Sequence, residues 1–333
     1  MKRFTCPTCG SEVHFRNQSC ITCGTRLGYD ANAMTMRAAG DDVVLCANAA
    51  GAGCNWLAVD RQPGSFCLAC LHNHIVPDAS MQGNVTRWQE VELAKRKLIY
   101  GLIRWNLPRP TRAQDPHMGL AFDFLADQQG PNGVTPVMTG HRSGLITINI
   151  AESDDDVRVA RRTAMDEPYR TLIGHMRHEV GHYYWAMLVD GSPLIDRYRS
   201  LFGDERADYD AALHRHYDQG APAGWRQTHI SAYATSHPWE DFAETWAHWM
   251  HIADGIETAA AYAMSLDGRQ VTEDAYATRD VQPVIEAWVP VTVALNNMNR
   301  AMGQPDLYPF VLNKPVMAKL QFINDLIHDA TDA

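Results

Sequence analysis

All eight cysteines of this chain fall within its first 70 residues, and the remaining 263 hold none. That distribution divides the chain at once, because residues that bind a structural metal must be gathered in one small module. Cys6-Pro-Thr-Cys9-Gly10 and Cys20-Ile-Thr-Cys23-Gly24 are paired knuckles, in which the glycine after the second cysteine permits the tight turn that aims backbone N–H groups at thiolate sulfurs. Four such thiolates close one tetrahedral zinc. Cys46 and Cys54 with Cys67-Leu-Ala-Cys70 supply ligands for a second. Pairing within each quartet is the simplest assignment, although spacing alone leaves interleaved pairing open. A site filled by four thiolates has no place for water, so neither is expected to be catalytic.

The same residues bear on compartment. Met1-Lys-Arg-Phe-Thr-Cys6 has no apolar core or cleavage signal of a leader, and no run approaches the ~18 apolar residues of a membrane span. Reduced thiols suit zinc in the cytosol, whereas disulfide frameworks belong to oxidising compartments, so a cytoplasmic protein without membrane attachment is expected.

A second feature lies far from the cysteines, in His178-Glu179-Val180-Gly181-His182. Residues four apart share a helix face, so His178 and His182 can present ring nitrogens to one metal ion while Glu179 points at water bound to it. Helical context is present. Glu167-Pro168 reads as a start signal, and Leu172, Met176, Val180, Tyr183 and Met187 trace an apolar stripe up to a stop near Asp190-Gly191. His175, one turn before the motif, is read as packed or solvent-facing.

A catalytic zinc usually has three protein ligands and an open position. Trp185 and Leu188 stand where a glycine and third histidine would follow on the same helix, so the third ligand must come from elsewhere. The best candidate stretch is 231–251, where Pro238 opens a second helix and Glu240, Glu244 and His248 share one face at four-residue spacing. Glu240 would complete a two-His, one-Glu set. Glu244 could accept the free ring N–H of a ligand histidine and fix its tautomer. Phe242, Ala243, Trp246, Ala247 and Trp249 make this helix too apolar to be mostly exposed, and buried carboxylates need partners.

These residues carry a resemblance. Segments 139–152, 167–185 and 238–246 resemble the zinc-binding metallopeptidase family that carries an N-terminal zinc ribbon, of the gluzincin type, in which glutamate is the third ligand. A more distant similarity joins 233–244 and 320–327 to lethal-factor-type toxin peptidases. It implies Tyr233 as the donor to the transition-state oxyanion, with Glu240 on the metal and Glu244 behind it. The departure is the interval from His182 to Glu240, 58 positions, longer than compact gluzincins use.

The fold class expected is α+β: a double zinc-ribbon module over 1–76, then a mainly helical zincin-like metallopeptidase domain with a small sheet over 84–333. Trp88, Val91, Ala94, Leu98, Leu102 and Trp105 trace its first helix, ending before Pro108, and Gly144–Ile150 alternates as a strand. That strand is expected at the cleft edge, where an extended substrate could add to it, though an ordinary sheet position reads equally well. Asp154-Asp155-Asp156 reads as a helix cap and solvated turn.

Formal net charge is −10, and residues 1–75 hold six Lys or Arg against five acids. Such a balance lacks the phosphate-neutralising surplus that drives nucleic-acid binding. The ribbon is therefore expected to recruit a protein or present substrate. Zinc-dependent peptide hydrolysis is the function expected, with Glu179 as general base, Tyr233 on the oxyanion, and one catalytic and two structural zinc ions. His229, His237, His248 and Tyr183 could bind substrate or protonate the leaving group, and Trp249 and His251 read as core. The competing classes are a ribbon adaptor with a non-catalytic peptidase-like scaffold and a nucleic-acid-associated factor.

Overall fold

Strands of two to four residues in isolated pairs cannot hold a sheet by themselves, and the N-terminal region is built from such pieces: β1 (Phe4–Thr5) pairs with β2 (Glu12–Val13), and β3 (Leu27–Asp30) with β4 (Thr35–Ala38). A computed structural model describes residues 1–40, 43–130, 133–155, 157 and 171–332. Their contacts form two compact units. One comprises Lys2–Ile103 and Arg109–Val157; the other comprises Met1, 104–108 and the described residues of the C-terminal part.

In the first unit the knuckle turns repeat one geometry. Gly10 N–H donates to the Cys6 carbonyl at 2.9 Å and Gly24 N–H to that of Cys20 at 2.8 Å, both glycines having positive φ. Behind them Phe15 meets Tyr29 at 4.9 Å and Tyr100 at 5.7 Å, edge to face. Tyr100 belongs to α1 (Asn84–Arg104), so this long helix shares an aromatic core with the ribbon. By contacts, then, α1 and the sheet group with the cysteine-bearing segment. Trp88, Val91, Ala94, Leu98 and Leu102 are buried as their spacing requires. Glu92 and Lys95 are buried with them, paired at 2.9 Å.

Four strands make the main sheet, in the order β5 (Asn73–Ile75), β6 (Ala121–Leu125), β10 (Leu145–Asn149), β9 (Gly140–Arg142). A separate hairpin joins β7 (Gln128–Gly130) to β8 (Gly133–Thr135). The strand expected at a cleft edge is β10, and it is interior instead, parallel to β6 and antiparallel to β9. The cause is local: Ser143 and Gly144 both have positive φ, 47° and 78°, and so form the two-residue turn that folds β9 back onto β10. Asp154 accepts from Arg87 of α1 at 2.6 Å, and Asp156 lies outside the described residues.

The second unit is helical. Its first described helix, α2 (Leu172–Leu188), is capped by the Thr171 side chain, which accepts from Gly174 N–H; the expected start at Glu167-Pro168 lies outside the described residues. Helices α3 (Ile195–Phe202) and α4 (Tyr209–Gln219) occupy the long interval before α5 (Pro238–Ala261). A short hairpin, β11 (Ser265–Leu266) with β12 (Arg269–Gln270), then leads to α6 (Val281–Ala301) and α7 (Lys314–Asp332). Central α5 packs on α2, α3, α6 and α7. Its crossing with α2 is close because Gly181 has no side chain: a Cβ there would stand 2.9 Å from the Ala243 Cα. Trp246 stacks on Tyr184 beside that crossing at 4.8 Å. No described helix is long and apolar enough to cross a membrane.

Candidate metal centre and active site

Helical periodicity sets His178 and His182 on one face of α2, and the close α2–α5 crossing brings the first turn of α5 against that face. The Nε2 atoms of the two histidines lie 3.1 Å apart, Glu240 Oε2 is 2.9 Å from His178 Nε2, and Glu240 Oε1 is 3.5 Å from His182 Nε2. For ligands at ~2.0–2.1 Å around a tetrahedral zinc, neighbouring donors stand roughly 3.3 Å apart. The observed spacings bracket that value. The Nδ1 of His178 is 2.8 Å from Glu244 Oε1, whose other oxygen accepts from the Ser231 hydroxyl at 2.6 Å. His178 thus faces Glu244 from Nδ1 and both Glu240 Oε2 and His182 Nε2 from Nε2, a cluster of donor atoms that suits a cation.

Electrostatics agree. Burial alone would lower the His178 pKa, yet Glu240 and Glu244 outweigh it and raise it well above the ordinary value. Burial would likewise raise both carboxyls, but the histidines hold Glu240 well below the usual range and Glu244 at about 2. Glu179, also buried, is kept ionised chiefly by His175, whose Nε2 is 3.2 Å from its Oε1. A partner for the Glu179 carboxylate was thus present one helical turn upstream. The four-residue interval between His175 and Glu179 was the signal for it.

Tyr233 lies in the short turn Tyr233–Thr235, its ring 5.9 Å from that of His178 and 5.8 Å from that of His216. The other candidates are placed elsewhere. His237 caps α5, accepting from Trp239 N–H at Nδ1 and donating from Nε2 to the Ala207 carbonyl, so both nitrogens are engaged. His248 Nδ1 meets the Tyr308 hydroxyl at 2.8 Å, His229 sits beside Thr228 and Asp241, and Tyr183 packs on Tyr184 in the core. Trp249 and His251 are buried, the latter against Arg177. Unforeseen was Tyr209, whose hydroxyl donates to Glu240 Oε1 at 2.8 Å. No fixed spacing links it to Glu240.

The cysteines gather into two quartets, each within itself: Cys6, Cys9, Cys20, Cys23, and Cys46, Cys54, Cys67, Cys70. Sulfur separations are 3.7 Å for Cys6–Cys23 and Cys9–Cys20, 3.6 Å for Cys54–Cys67 and 3.9 Å for Cys54–Cys70. Zinc–sulfur bonds of ~2.3 Å in a tetrahedron require about 3.8 Å, far beyond a disulfide's ~2.05 Å. Cys9 and Cys23 are exposed, whereas all four of the second quartet are buried.

Residues 84–326 match a family described as "Putative zinc-binding metallo-peptidase", and residues 3–81 match a zinc-ribbon domain. Uncharacterized proteins of Mycobacterium bovis and of two strains of Mycobacterium tuberculosis are each 41% identical over 332 residues, spanning 99% of this chain and 96% of theirs. No solved structure matches it.

Proposed function

Because this chain belongs to the zinc-binding metallopeptidase family, we propose that it hydrolyses peptide bonds at the site formed by His178, His182 and Glu240. The observation that carries this is the convergence of those three donors, all within 4.8 Å of one another, one residue along the helix from an ionised Glu179. Zinc bound there would lower the pKa of a water and polarise the scissile carbonyl. Glu179 takes the water proton and delivers it to the leaving amine, while His175 holds its carboxylate in place. Glu244, itself held by Ser231, fixes the His178 ring. Tyr233 donates to the developing oxyanion.

The two cysteine quartets are closed structural zinc sites, giving three zinc ions per chain in the modules 1–76 and 84–333. The reduced thiols suit a cytoplasmic setting, and the weakly charged ribbon suits a protein partner rather than nucleic acid. Incubating the purified chain with a random peptide library tests the activity. Glu179→Gln should abolish cleavage and keep all bound zinc, since an amide cannot take a proton from water. A parent protein that cleaves nothing while fully zinc-loaded would favour the adaptor reading.

A further inference from the structure

Besides Ser231 and Tyr233, the segment between the zinc-binding histidines and Glu240 reaches back to the site at Tyr209. Asp208 caps α4 by accepting from Ala211 N–H at 3.0 Å, which sets Tyr209 as the first residue of the helix. One residue earlier the chain is pinned from α5: His237 Nε2–H donates to the Ala207 carbonyl at 3.1 Å. Between these ties the Tyr209 ring lies 5.1 Å from the His237 ring and 5.9 Å from that of Trp239, and its hydroxyl donates to Glu240 Oε1. These contacts hold the hydroxyl in place as a donor to Glu240.

We propose that the inserted helices clamp the third zinc ligand: Tyr209 is a positioning residue that occupies Glu240 Oε1 and leaves Oε2, 2.9 Å from His178 Nε2, as the oxygen that binds the metal. The proposal rests on the metal-site reading above and extends it to residues outside the motif. Glu240 is 1% exposed, so water can replace the lost donor only poorly. Hydrogen-bonding partners of a ligand typically contribute ~10- to 100-fold to metal affinity. The clamp also gives the long interval from His182 to Glu240 a task.

The test is Tyr209→Phe in the full chain, which keeps the ring against His237 and Trp239 and removes only the hydroxyl. A chelator titration that counts the first zinc released should show ~10-fold or greater weakening, with the zinc that leaves later unchanged. Unfolding temperature of the protein stripped of that first zinc should equal the parent's, while the rise on adding zinc back should shrink. Tyr233→Phe should leave the affinity alone. Parent-like zinc affinity in Tyr209→Phe, with Glu240→Ala losing the ion, would overturn the clamp; so would a fall in kcat at unchanged affinity, which would make Tyr209 a reaction-stage donor. A lower unfolding temperature already present in the stripped variant would reduce its role to packing. If Glu240→Ala and His178→Ala also held zinc as the parent does, the fault would lie in the metal-site reading itself.

Discussion

Glu179 and Tyr233 act on different stages of the proposed reaction, and single substitutions separate them. The Tyr233 ring stands 5.9 Å from the His178 ring, beside the candidate metal site. Removing one oxyanion donor costs ~10²- to 10³-fold in kcat, so Tyr233→Phe should fall in that range with KM little changed and zinc retained. Hydrolysis at the parent rate would show that Tyr233 only packs against His178 and His216. Around these two residues the sequence was unevenly legible. His178, Glu179 and His182 are bound by helical period and could be read directly; His175 could have been, since it is four residues from Glu179. Tyr209 and Ser231 touch the site through tertiary contacts that no periodicity encodes.

At the scale of elements the decisive contact is the crossing of α2 and α5. Alanine favours a helix interior over glycine by ~1 kcal/mol, so Gly181→Ala would stabilise an isolated α2. Here the added Cβ would stand 2.9 Å from Ala243 Cα and 3.1 Å from Trp246 Cβ, and one helix must move. Overpacking of this kind costs ~1–3 kcal/mol. Because Glu240 precedes Ala243 by less than one turn, the same displacement should weaken zinc binding. Chemical denaturation and zinc titration of Gly181→Ala check both effects, and a more stable variant with unchanged affinity would mean that the helices do not meet as described. The strand β10 teaches a related lesson. Its alternation was legible, but its interior position followed from the Ser143-Gly144 turn, which supplies the neighbour β9.

At the scale of the whole molecule, metal content and the response to pH are the properties to measure. Elemental analysis should find three zinc ions per chain, and graded chelation should remove first the zinc of the His178 site, where only three protein donors converge, then that of the quartet with exposed Cys9 and Cys23, and last that of the buried quartet of Cys46, Cys54, Cys67 and Cys70. A ratio near one, with native thiols that titrate freely, would remove the double-ribbon description. Acid sensitivity should come in part from two buried histidines of α5, His248 and His251. Burial lowers the His248 pKa from 6.5 to about 4 and holds His251 well below its ordinary value. Between those limits the unfolded chain binds more protons than the folded one, so stability present above pH 6.5 is lost as pH falls toward 4. Unfolding temperatures recorded over that window in zinc-free protein should drop, and His248→Phe should flatten the dependence; equal slopes in the two proteins would assign the effect elsewhere.

By itself the sequence determined what repeats or spacing can encode: cysteines confined to the N-terminal region, knuckles with a glycine where positive φ is needed, two histidines on one helix face, and a proline-led helix carrying acids. Each depends on neighbours within a few residues, where backbone geometry leaves little choice. Tertiary structure alone decided which cysteines share a quartet, which strand is the edge, and that Glu240 meets histidines some sixty positions earlier with Tyr209 on its other oxygen. Those outcomes are meetings of segments far apart in the chain. The meeting of Glu240 with the histidines is set by how closely two helices can approach at Gly181 and Ala243, a property of packed surfaces rather than of local sequence.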